Sequence, residues 1–180
     1  METDKSGHSS ETAAEIPAAA AGRSVTAWCA VAGALFLLLD QATKLWILHA
    51  YQLHESTPVI PDIFSITYVR NPGAAWGIFA GRGWLLLTVA AVVVVLMIRF
   101  FNSLCAGYAE RKLALFLIFS GVFGNSIDRI WHGSVIDFID FHYKNVWSYP
   151  VFNVADIAIC VGVGLFLLSD LLRPDRKKEK

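Results

Sequence analysis

Residues 84–101 read WLLLTVAAVVVVLMIRFF, eighteen positions with a single charge. A run of this kind admits few folds. At 1.5 Å rise per residue, about 20 apolar residues cross a hydrocarbon core of about 30 Å as a helix. Backbone groups in lipid must bond within their own segment, so a helix is the natural form. Three further runs have the same character: residues 25–51, 113–131 and 151–172. The chain as a whole is 56% hydrophobic, with zero formal net charge and a mean hydropathy of +0.52. A soluble domain usually holds roughly 45–50% apolar residues. The expectation is an all-α membrane protein of four transmembrane helices.

Lysine and arginine near the span ends set orientation. Arg23 precedes the first span. Arg99 at the end of the second span, and Arg111 and Lys112 in the short link to the third, fall together. RPDRKKEK follows the fourth. All three segments fall on one side of a four-span topology, which assigns both termini to the cytoplasm. The links 51–83 and 132–150 face outward and carry fewer cations: Arg70, Arg82 and Lys144. Residues 1–23 read as a disordered cytoplasmic tail and residues 173–180 as a basic one. Asp40 and Lys44 inside the first run, with no small-residue cleavage site after it, favour a retained span over a cleaved leader.

The outer links contain two distinct patterns. In IFSITYV, residues 63–69, Phe64, Ile66 and Tyr68 alternate with Ser65 and Thr67, which predicts a short strand. WSYPVF, residues 147–152, is aromatic and suits the membrane interface. The three cysteines, Cys29, Cys105 and Cys160, lack metal or redox spacing. His49, His54, His132 and His142 lack ligand spacing too, so no metal site and no cofactor is expected. Neutral charge gives no reason to expect nucleic acid.

Polar residues gather at the outer ends of the spans. Asp40 and Lys44 lie at i,i+4 in the first, and Asn125, Asp128 and Arg129 at i,i+3,i+4 in the third. Asn153 and Asp156 lie at i,i+3 at the start of the fourth, with Asn71 and Asp137 in the outer links. Ionisable groups at such depths mark a functional site by default. Each group also has a plainer reading. Asp40 and Lys44 form either a helix salt bridge or a substrate contact. Asp128 and Arg129 read as a structural pair, and Asn125 and Asn153 as interhelical hydrogen-bond partners. Asp140 reads as solvated. Asp137 (SVIDFID) and Asp156 (NVADIAI) resist such readings, because no basic residue lies within four positions of either. Two such carboxyls brought together cannot both ionise easily. One neutral acid beside one carboxylate is the requirement of aspartic-protease chemistry. A proton relay through Asp40, Asp128 and Asp156 is a rival, and a non-catalytic assembly factor another. The relay is weakened by the nearly uncharged inner halves of spans two to four.

Five blocks resemble the lipoprotein signal peptidases, the type II signal peptidases of bacterial inner membranes: DQATK (40–44), NPGAAWG (71–77), GNSIDR (124–129), GSVIDF (133–138) and FNVAD (152–156). They occur in that family's order and touch the first, third and fourth spans and both outer links. One departure is Ser120, standing where the family commonly has the first of two glycines. The resemblance implies a four-helix aspartic endopeptidase with a small extracytoplasmic β-structure. It implies cleavage of diacylglyceryl-modified prolipoproteins just before the lipidated cysteine, with Asp137 and Asp156 as the catalytic pair. Asn71, Asn125, Arg129 and Asn153 would position substrate or dyad, and Asp40, Lys44 and Asp128 would support the site. It further implies membrane lipids as surroundings, inhibition by globomycin-type cyclic peptides, and a site near the periplasmic face. Four spans can enclose one site, so a monomer is expected.

Overall fold

The computed structural model describes residues 18–73, 78–144 and 146–173, with side chains from residue 22 onward. Five helices and four strands follow in the order α1 (Ala18–Ala50), β1 (Ser56–Ile60), β2 (Phe64–Asn71), α2 (Gly83–Arg99), α3 (Phe101–Cys105), α4 (Ala109–His132), β3 (Val135–Tyr143), β4 (Trp147–Ser148) and α5 (Val154–Leu172). Residues 18–23, expected in a disordered tail, already belong to α1. The remainder of both expected tails lies outside the described residues, apart from Arg173, the C-cap of α5.

Among the described residues three helices, α1, α4 and α5, are long and apolar enough to cross a membrane. The run expected over residues 84–101 is shorter as a helix. α2 has 17 residues, about 25 Å, and the chain bends at Phe100 into the short α3. Large apolar side chains face outward on these helices, including Trp28, Leu38 and Val95. That is the arrangement of a surface wetted by lipid rather than water.

α4 is the central element, packing on α1 and α5 and also on α2 and α3. Small residues permit the close approach. A methyl group at Gly121 would collide with the carbonyl of Ala155, and one at Gly124 with the carboxylate of Asp40. Ser120 is buried beside them and donates its hydroxyl to the Leu117 carbonyl at 2.8 Å, so it fits this contact without an unsatisfied group. Arg111, expected as a loop charge, lies instead in the first turns of α4. It is buried there, bonded to Ser169 of α5 at 3.1 Å and to Asp170 at 3.2 Å. This ties α4 to α5 at the end farthest from the sheet.

The four strands form one antiparallel sheet in the order β1-β2-β3-β4. The strand expected over 63–69 is present as β2. The link 132–150, for which the sequence pattern predicts no strand, contributes the nine-residue β3. Its start is set by Gly133, the C-cap of α4, which takes a left-handed φ of 70° and donates to the Arg129 carbonyl. That conformation favours glycine. β3 pairs along β2, with Asp137 opposite Val69 and Val135 opposite Asn71. Ile47 of α1, Tyr68 of β2, and Ile136 and Phe138 of β3 form a buried cluster that seats the sheet on the helices.

Candidate active site

Asp137 and Asp156 face one cavity of about 190 Å³ at the sheet end of the bundle. Asn71, Asn125 and Arg129 complete its polar lining; Val135, Ile159 and Cys160 contribute apolar walls.

Asp137 is carried by β3, with 2% of its surface exposed. Its Oδ1 accepts from Asn153 Nδ2 at 2.7 Å and its Oδ2 from Asn71 Nδ2 at 3.1 Å. Burial and the neighbouring charge of Asp156 push its pKa up to about 7, against the opposing pull of the Asn71 and Asn153 donors and of Lys44. Removal from water disfavours the ionised carboxylate, and a second carboxylate disfavours it further.

Asp156 is placed by the local chemistry of the α5 N-terminus. Asn153 is the N-cap. Its Oδ1 accepts from the Asp156 backbone N–H at 3.0 Å, while its own N–H donates to Asp156 Oδ2 at 3.2 Å. This reciprocal capping box satisfies two otherwise orphaned helix donors. Asn-x-x-Asp before an apolar run therefore serves the helix as well as the cavity. The other oxygen of Asp156 accepts from Asn125 Nδ2 at 2.8 Å.

Behind the cavity lies a second layer. Lys44 Nζ sits 2.9 Å from Asp40, 2.8 Å from Asp128 and 3.1 Å from Asn125 Oδ1, which uses all three of its donors. Asp40 in turn accepts from the Ala155 backbone N–H at 2.8 Å, and Asp128 from that of Ile136 at 3.2 Å. Each donating residue immediately precedes a cavity aspartate. Asn153, fully buried, also donates to Asn125 Oδ1 at 3.1 Å, so Lys44, Asn125 and Asn153 form a continuous chain to both carboxyls. Asp40, Lys44, Asp128 and Asn153 thus lie behind the cavity wall rather than in it.

The pairing expected between Asp128 and Arg129 does not occur. Asp128 pairs with Lys44, while Arg129 donates to the carbonyls of Gly73 at 2.9 Å and Asn125 at 3.2 Å. Adjacent residues on a helix point about 100° apart, so their side chains do not face each other. Asp140, expected to be solvated, is half-buried. It accepts from Thr67 Oγ1 at 2.7 Å and lies 3.5 Å from His142 Nδ1. Of the NPGAAWG block, residues 74–77 lie outside the described residues. Tyr149 and Pro150, read from sequence only as interfacial, line the cavity. Their composition gave no sign of that. The chain had to return from β4 to α5 across the cavity mouth.

Apolar helices carrying a small sheet, with a carboxylate-lined cavity where the two meet, define a membrane-embedded enzyme. Comparison with known proteins makes this specific. Residues 32–172 match the family described as signal peptidase (SPase) II, and the chain belongs to that family of peptidases. The lipoprotein signal peptidase of Geobacter sulfurreducens is 46% identical over 145 residues, covering 79% of this chain and 89% of the relative. That of Serratia proteamaculans is 42% identical over 149 residues, covering 80% and 86%. A solved bacterial membrane enzyme, determined by the in meso method, superposes with a TM-score of 0.75 at 33% identity, covering 87% of this chain and 93% of that one.

Proposed function

We propose that the chain is an aspartic endopeptidase that removes signal peptides from diacylglyceryl-modified prolipoproteins, cutting just before the lipidated cysteine. The observation that carries this reading is the shared cavity of Asp137 and Asp156, with Asp137 poised to hold a proton near neutral pH.

In this mechanism Asp156 acts as the base and Asp137 as the acid. A water in the cavity loses a proton to the Asp156 carboxylate as its oxygen attacks the scissile carbonyl carbon. The proton on Asp137 hydrogen-bonds the carbonyl oxygen and stabilises the negative charge that develops there. The tetrahedral intermediate then collapses. The C–N bond breaks, the leaving nitrogen takes the proton from Asp156, and the dyad returns to one proton. Asn153 and Asn125 hold the two carboxyls in place, while Arg129 and Asn71 offer donors to the substrate backbone. A proton relay is less well supported: Asp40 and Asp128 are both engaged by Lys44 behind the cavity wall.

The same reading has four spans in the bacterial inner membrane, α2 joining α1, α4 and α5 as the second of them. Both termini are cytoplasmic, the cavity lies near the periplasmic face, a monomer suffices, and globomycin-type peptides inhibit. Purified protein mixed with a prolipoprotein, lipid-modified or unmodified, tests the reaction. Cleavage of the modified form alone is expected. No cleavage by well-folded protein overturns it.

A further inference from the structure

Three amides serve the two carboxyls, and each is held in one orientation by a group that can only donate. Asn71 Oδ1 accepts from the Gly73 N–H at 3.0 Å, and Asn153 Oδ1 from the Asp156 N–H at 3.0 Å. Both of those donors are neutral. Asn125 differs. Its Oδ1 takes the ammonium of Lys44 at 3.1 Å, along with Asn153 Nδ2 at 3.1 Å. A lysine ammonium has no acceptor. The reversed amide would set Asn125 Nδ2 against two donors and its oxygen against the Asp156 carboxylate. Nδ2 is therefore fixed toward Asp156 Oδ1, 2.8 Å away. A cation on an amide oxygen also polarises the group and strengthens its N–H as a donor.

We infer that Lys44 is a positioning residue for the reaction, its ammonium aligning and polarising Asn125 so that Asp156, rather than Asp137, is the ionised member of the pair. The inference rests on the peptidase reading and gives a physical reason for which carboxyl is the base. The other charged groups around Asp156 are Asp137 of β3 and Arg129 of α4, with Asp40 of α1 and Asp128 of α4 on the far side of Lys44. Tyr149 and Cys160 are further titratable groups of the same cavity.

The pH profile of kcat/KM tests this, because its acid limb reports protonation of the base. Lys44→Met alone strands two carboxylates, so it is combined with Asp128→Asn. The pair of changes removes a cation and an anion together and alters the net field on the dyad little. Asp40 keeps two donors, Gln41 Nε2 at 3.0 Å and the Ala155 N–H at 2.8 Å. Asn125→Leu removes the amide instead, and a third protein carries all three changes. Each is compared with the unaltered protein in detergent, on a lipid-modified prolipoprotein. The acid limb is expected to move up by about one pH unit, the low end of the effect of a neighbouring charge. The Lys44 variant and Asn125→Leu share this shift, and their combination adds nothing to it. An unmoved acid limb in the Lys44 variant overturns the proposal, because a purely structural role lowers the rate at every pH alike. Additive shifts overturn it too, since they take Asn125 out of the path. For a variant too slow to assay, the ¹³C carboxyl signal of Asp156, assigned by its loss in Asp156→Asn, titrates in the folded protein and reads the same shift or its absence. No cleavage by the unaltered protein overturns the peptidase reading alone, since that titration still tests the contact.

Discussion

Asn153 Nδ2 lies 2.7 Å from Asp137 Oδ1, although the two residues belong to different elements and Asn153 caps the helix that carries Asp156. One amide therefore fixes the strand-borne carboxyl to the helix-borne one. Asn153→Ser separates its two jobs. Serine caps helices about as well as asparagine, whereas loss of a cap costs about 1 kcal/mol. Serine cannot reach Asp137 with an N–H. Cleavage is expected to fall about 10²-fold, the scale of removing one preorganised donor, with little change in thermal unfolding. Asn153→Ala lowers both.

Asp137 gives the reaction a pH dependence with a defined sign. Its folded pKa is about 7, raised above the ordinary 3.8. The protonated acid is abundant below about 7 and lost above it, so kcat/KM falls as pH rises through 7. Stability shares the sign. The folded state binds the extra proton between about 4 and 7, so this group's contribution is fully present below 4 and declines as pH rises toward 7. Asp137→Asn flattens that part of the stability profile, measurable by unfolding in detergent at stepped pH.

Lys44 is 1% exposed between two buried carboxylates. Lys44→Met leaves Asp40 and Asp128 without their cation. Breaking a buried pair in this way costs about 3–5 kcal/mol. A large drop in melting temperature is expected, together with loss of cleavage, because Asp40 and Asp128 anchor the backbone beside both cavity aspartates.

Gly121 and Gly164 make a matched pair of alanine substitutions. The methyl of Gly121→Ala meets the Ala155 carbonyl one residue before Asp156, while that of Gly164→Ala meets nothing within 4 Å. Overpacking at Gly121 costs about 1–3 kcal/mol and displaces the dyad. Alanine at 164 is neutral or stabilising by about 0.5–1 kcal/mol, as in any open helix interior. Melting temperature and cleavage rate separate the two.

The helices were legible in the sequence because lipid permits little else for long apolar runs. Asp137 and Asp156 stood out because neither has a local cation. Three features were not legible. β3 reads as VIDFIDFHY, and its strand character emerges only through pairing with β2, which local pattern does not reveal. For Lys44 the sequence leaves open a bond to Asp40 along its own helix or a substrate contact, and the structure has the bond to Asp40. That it also bonds Asp128 and Asn125 depends on the glycine-mediated approach of α4 to α1 and α5, a tertiary fact. The capping role of Asn153 and Asp156 is written as Asn-x-x-Asp, but that spacing alone does not tell a helix cap from a carboxylate in an apolar setting, and here Asp156 is both.

The most direct test of the dyad compares three isosteric variants, Asp137→Asn, Asp156→Asn and Asp140→Asn, in cleavage of a lipid-modified prolipoprotein. Asp140 lies three residues from Asp137 on the same strand but outside the cavity, bonded to Thr67. The first two variants are expected to fold in detergent yet lose cleavage by about 10²–10⁴-fold, as when a catalytic acid or base is removed, while Asp140→Asn retains most of it. Comparable loss in Asp140→Asn, or substantial cleavage by either of the other two, contradicts the assignment of Asp137 and Asp156 as the catalytic pair.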